Sequence, residues 1–81
     1  MARFYFHLQE AGKLHPDPEG TDLPDVDAAR QEAILAARDI LSNAIRAGRA
    51  RLPDAFVIAD EAGRKIAVVP LAAALPEPLK K

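Results

Sequence analysis

The chain has no cysteine and no tryptophan among its 81 residues. Without cysteine, disulfides and thiolate metal ligation are excluded. Side-chain hydroxyls are nearly as scarce, since Thr21, Ser42 and Tyr5 are the only ones. Ser42 falls in the middle of an expected helix, on its solvent side, with no histidine near it in sequence. A nucleophile–base–acid triad therefore has nothing to start from. The glycine patterns that cradle phosphates, G-x-x-x-x-G-K-[ST] and G-x-G-x-x-G, are also missing. No segment approaches the ~20 apolar residues of a membrane span. Arg3, His7, Gln9 and Glu10 interrupt any apolar run of the kind a signal peptide needs. These absences lead to the expectation of a cytoplasmic, non-enzymatic protein with no catalytic residue, cofactor, metal or membrane partner.

What the chain does have is a cluster of aromatics. Phe4, Tyr5 and Phe6 are adjacent, and Phe56 is the only other aromatic residue. In a strand, neighbouring side chains point to opposite faces. Phe4, Phe6 and Leu8 thus share one face, and Arg3, Tyr5, His7 and Gln9 the other. The length fits one small domain, expected over residues 1–75, with 76–81 as a frayed tail. Because much of the 49% hydrophobic content is alanine, the expected core rests on a few larger residues. These are Phe4, Phe6, Leu8, Ile34, Ile40, Leu41, Ile45, Phe56, Ile58, Ile66 and Val68. Small domains without staples lean on oligomerisation, so self-association, as a homodimer, is expected.

The local signals define the elements. A first strand over Arg3–Gln9 turns at Glu10–Lys13 into a short second strand at Lys13–His15, which Pro16 and Pro18 terminate. Asp17–Gly20 reads as a tight turn leading into a loop to Pro24. Asp25 is a good N-cap, and residues 28–47 contain neither proline nor glycine. At 100° per residue, Ala33, Ile34, Ala37, Ile40, Leu41, Ala44 and Ile45 fall on one face, with Leu35 stranded on the polar one. Gly48 is placed to end the helix. Strands follow at residues 55–59 and 64–69, joined by an Asp60–Gly63 turn. A helical turn at 71–75 then caps the sheet edge. The expected class is α+β: two β-hairpins forming an antiparallel sheet with one long helix packed on one face, in the order ββαββ. Strand order remains open, because either hairpin is able to supply the central strands.

The net charge of −1 gives no general pull toward nucleic acid, but its distribution is uneven. Seven acids lie between Glu10 and Glu32, and Arg46, Arg49 and Arg51 cluster after them. The helix dipole accounts for acids before a helix and arginines at its end. Joined to Arg3 and the Tyr5 face, with Arg64 and Lys65 as further candidates, the arginines outline a nucleic-acid patch. One aromatic is thin for stacking, however, and neutral charge argues against strong phosphate affinity. The two histidines depend on the first turn. A three-residue turn sets His7 opposite His15, where Asp17 would complete a metal site. A two-residue turn pairs His15 with Leu8 and separates the rings. The acidic loop departs from the EF-hand template in its glycine position and lacks the final glutamate. The residues singled out as an interaction surface are Arg3, Tyr5, His7, Leu35, Arg46, Arg49 and Arg51.

Three segments carry a resemblance: Arg3-Phe4-Tyr5-Phe6-His7; Asp17-x-Glu19-Gly20-x-x-Leu23-x-Asp25; and Ala29-x-x-Glu32-Ala33-x-x-x-Ala37. With Asp60-Glu61-x-Gly63-Arg64 and Val69-Pro70-Leu71, they resemble a family of short bacterial proteins known as a domain of unknown function. That resemblance implies a small α+β domain and supplies no activity. A second likeness is to HicB-type antitoxin domains, which also pass from a hairpin through an acidic loop to a helix with Glu-Ala-x-x-x-Ala spacing. The chain departs from them in having no clear third strand before the helix, and no segment reads as an appended DNA-binding module. Two functional expectations result. The first is an interaction module that self-associates through the sheet's outer face or an edge strand, or binds another protein. The second is an antitoxin-like regulator whose acidic stretch Asp17–Asp27 meets a basic partner protein, or which binds nucleic acid.

Overall fold

The computed structural model describes residues 1–48 and 51–75. The α+β class is as expected, with one long helix over one face of an antiparallel sheet. The chain runs β1 (Ala2–Glu10), β2 (Lys13–His15), β3 (Thr21–Leu23), α1 (Val26–Ala47), β4 (Ala55–Ala59), β5 (Lys65–Pro70) and a 3-10 helix, η1 (Leu71–Ala74). The sheet order is β2-β1-β4-β5, with β3 also paired to β1. Each hairpin therefore contributes one central strand. The expected tail at 76–81 and Arg49 lie outside the described residues.

β1 organises the sheet because it is long enough to hold two short strands on one edge. Its C-terminal half pairs with β2, Leu8 opposite His15 and Glu10 opposite Lys13. Its N-terminal half pairs with β3, Ala2 opposite Leu23 and Phe4 opposite Thr21. β3 is the third strand before the helix that the sequence reading takes for loop. Three residues are too few to show a period of two, and Pro18 and Gly20 announce a turn instead. The first turn has two residues, Ala11 (φ 51) and Gly12 (φ 79). Both take the positive φ of a type I′ hairpin, which fixes the Leu8–His15 pairing.

The helix forms where its signals place it. Asp25 Oδ1 accepts from the Ala28 N–H at 2.8 Å, and Gly48, at φ 68, donates its N–H to the Ile45 carbonyl at 3.1 Å. The core beneath it is unlike the expected one, since among the described residues five of its eleven buried members are alanine. Ala29, Ala33, Ala37 and Ala44 line the inner face of α1 with Leu41. These small side chains let the helix lie close to the sheet, where Phe4, Phe56 and Ile58 fill the layer between. Phe6, Leu8, Ile34, Ile40 and Ile66 pack against this centre only partly buried.

Two expected core residues are exposed. Ile45 has 75% of its surface in solvent. The buried positions Ala29, Ala33, Ala37 and Ala44 centre the inner stripe on the direction of Ala44, and Ile45, 100° round from it, falls at the stripe's edge in the last turn. Val68 is 48% exposed, while its neighbour Val69 is buried. The cause is a β-bulge. The loop closes with the Asp60 N–H on the Arg64 carbonyl, and continuing that register would pair Ile58 with Ile66 and Phe56 with Val68. A shift between Ile58 and Ala59 pairs Ile58 with Ala67 and Phe56 with Val69 instead. A one-residue slip exchanges the faces of a strand. η1 also departs from expectation. It buries Leu71 and Ala74 and packs chiefly on α1 rather than capping the sheet edge.

Candidate functional site

Between the stretches that pair with β2 and β3, residues Tyr5–His7 of β1 face the five-residue loop Pro16–Gly20. The edge groups left there need partners. Asp17 supplies them: its Oδ2 accepts from the Phe6 N–H at 3.2 Å, and its Oδ1 from the N–H groups of Glu19 (3.2 Å) and Gly20 (3.3 Å). The Asp17 N–H in turn donates to His7 Nδ1 at 3.0 Å. Partial burial pushes the Asp17 pKa up. The backbone donors of Phe6, Gly20 and Glu19, with His7 beside them, outweigh it and hold the carboxyl below its ordinary value. Arg3 fastens the far side of the loop, with Nη1 on the Glu19 carbonyl at 2.7 Å and Nε 3.1 Å from Asp22 Oδ1. Gly20 lies so close to β1 that a Cβ there would be 2.9 Å from Arg3 Cγ and 3.0 Å from Tyr5 Cε2. The segments opening the chain and preceding the helix thus form one edge lock.

Asp17 gives its carboxylate to backbone donors rather than to the imidazole, so Asp17 and His7 form no acid–histidine dyad. His7 uses Nδ1 as an acceptor, which places its ring proton on Nε2. His15 is opposite Leu8 on the other face, 3.8 Å from Glu10. The hairpin register therefore separates the two imidazoles that a metal would need to share.

On the outer face, Tyr5 and His7 stack with ring centroids 6.3 Å apart. His7, Val57 and Val68 form a row across β1, β4 and β5. No described helix covers this face.

The second feature is a groove of about 470 Å³ between the C-terminal half of α1 and η1. Leu41, Ile45, Ala74 and Leu75 supply its apolar lining, with Arg38, Ser42 and Arg46 alongside. Arg38 Nε reaches the Ala74 carbonyl at 3.5 Å. Neither arginine meets a carboxylate among the described residues.

The residues singled out from sequence do not form one surface. Arg3 is occupied in the lock, and Tyr5 and His7 are on the outer sheet face. Leu35, 53% exposed, is on the solvent side of α1. Arg46 borders the groove. Arg51 lines a separate small cleft with Glu10, Ala11, Leu52 and Asp54. Arg64 is paired to Asp60 at 3.1 Å, so the basic patch drawn for nucleic acid is dispersed and partly neutralised. Sequence reasoning missed Arg38, Ile45, Ala74 and Leu75 as neighbours. The one available signal was the alanine spacing 29-33-37-44, which centres the buried face away from Ile45.

The fold and its edge lock define a small α+β domain with one long helix over a five-stranded antiparallel sheet. The chain belongs to a family described as a domain of unknown function (DUF6894), whose model matches residues 3–72. No curated protein and no solved structure matches the chain significantly. Among the described residues, no helix is long and apolar enough to cross a membrane.

Proposed function

We propose that this protein is a non-enzymatic interaction module that docks a protein segment in the groove between α1 and η1. The exposure of Ile45 carries the reading. A large β-branched apolar side chain, 75% in solvent, borders a concavity whose lining is apolar, and such a patch marks an interaction site. The chemistry-bearing residues of the lock are occupied in holding backbone, which supports a role without catalysis. A photo-crosslinking residue at Ile45, introduced in the native host, is expected to join the chain to a partner protein. The same residue at Glu61, on the far turn, is the control. Equal yields at the two positions would remove the groove from consideration.

Self-association through the outer sheet face is a second reading, favoured by the uncovered row His7–Val57–Val68. Pairing through the outer edge of β5 has less support. Leu71 donates inward to Asp54, so by alternation Pro70 faces outward, where it has no N–H to offer. The bulge and Lys65 blunt the same edge. A regulator presenting Asp17–Asp27 to a basic partner also has less support. Asp17, Asp22 and Asp25 already hold backbone donors, Arg3 and the helix N-terminus.

A further inference from the structure

Resting on the docking reading of the α1/η1 groove, we infer that its occupant is an acidic amphipathic helix from another protein. The groove joins two kinds of recognition. Its apolar lining, Leu41, Ile45, Ala74 and Leu75, accepts aliphatic side chains. Beside it stand Arg38 and Arg46, eight residues and so about 12 Å apart along the helix axis. Their guanidiniums have no carboxylate partner among the described residues.

An unpaired arginine at a helix C-terminus has a structural use, because it complements the dipole. That accounts for Arg46, in the last turn of α1. It does not account for Arg38, two turns earlier, whose one polar contact is a long bond to the Ala74 carbonyl across the groove. Two guanidiniums without a carboxylate partner among the described residues, set along the α1 wall of an apolar trough with Ser42 between them, are complementary to a helix that presents leucine-like side chains with carboxylates about two turns apart. Such a helix would lie along α1, its apolar face on Ile45 and Leu75. A nucleic acid fits less well, since the trough beside the arginines, lined by Leu41, Ile45, Ala74 and Leu75, offers apolar surface where a phosphate backbone needs donors.

The test uses the full chain and two designed helical peptides. One carries leucines along one face with glutamates two turns apart beside them. In its twin every glutamate is lysine. By fluorescence anisotropy, the acidic peptide is expected to bind at least about tenfold more tightly than the twin, with the gap closing as salt rises. The double variant R38E/R46E is expected to reverse the preference, and Ile45→Ser to weaken both peptides about tenfold. All three positions are exposed or at the groove, and circular dichroism checks that the variants fold. Equal binding of the two peptides overturns the acidic specificity while leaving a docking groove. Binding of neither overturns the groove as a helix site altogether. Sedimentation showing self-association that Ile45→Ser abolishes would give the groove to a second copy and overturn the inference in that way.

Discussion

Asp17 is the residue on which the most backbone depends. Three N–H groups converge on one carboxylate, and its own N–H ties His7 to the loop. Asp17→Asn turns one of its two acceptor atoms into a donor, which must then face a backbone N–H. Hydrogen bonds to a charged group contribute about 1.5–3 kcal/mol. Because Asp17 is only half-buried, a loss of about 1–2 kcal/mol in chemical denaturation at neutral pH is expected. The pH dependence follows from the direction of the shift. The Asp17 pKa in the folded chain is below its unfolded value of about 3.9. Its stabilisation is therefore complete above that value and is lost as pH falls through the folded one. The gap between wild type and Asp17→Asn should narrow in acid. A gap of unchanged size below the folded pKa would mean that the negative charge is not what holds the loop. His7→Ala probes the other half of the lock: it should release the Asp17 N–H and, because His7 helps hold the Asp17 carboxyl low, should also lessen the loss of stability in acid.

At the level of elements, the least expected feature is the bulge that turns Val69 inward and Val68 outward. It sets two valines, adjacent in sequence, in opposite environments, at 6% and 48% exposure. Val69→Ala removes two methyl groups from the closed layer between sheet and helix and should cost about 2 kcal/mol. Val68→Ala should cost less than about 0.5 kcal/mol. The unbulged register predicts the reverse order, so urea titration of the two variants decides which pairing holds in solution.

The same element shows where sequence reading reached its end. Strand limits at residues 55–59, the N-cap at Asp25 and the stop at Gly48 were all legible, because each rests on a local signal within a few residues. The face of β5 was not. Lys65–Pro70 holds four apolar residues in a row, so alternation gives no phase, and the phase comes from a bulge set by long-range packing against an alanine-lined helix. β3 was hidden for a similar reason. Its pairing depends on β1 twenty residues away, and its three residues carry no period of their own. Of the candidate site, the pieces of the edge lock were visible as motifs. Their convergence was not, because it depends on β1 accepting two strands on one edge. The groove was obscured by giving isoleucine more weight than alanine in placing the helix face.

At the scale of the whole molecule, the described residues leave two surfaces uncovered, on opposite sides of a thin core. Eight alanines among the fourteen buried hydrophobic residues described leave modest apolar area to offset chain entropy, and a domain of this size has little margin. Covering either surface would add burial at no further cost in backbone order. The groove has a charge pattern that suits a foreign helix, while the outer sheet face is nearly uncharged along the row His7–Val57–Val68 and suits another sheet face like itself. The two surfaces can be separated by mass action. If copies pair through the sheet face, the unfolding midpoint must rise with protein concentration, since only the folded chain associates. Val68→Lys should abolish that rise and reduce the sedimentation-derived mass to that of a single chain. At dilutions where the wild type is already dissociated, it should leave stability within about 0.5 kcal/mol. A midpoint that stays flat from low to high micromolar concentration would retire the sheet face as an interface and leave the groove as the molecule's one docking surface under test. A rise that persists in Val68→Lys but vanishes in Ile45→Ser would instead move self-association to the helix side.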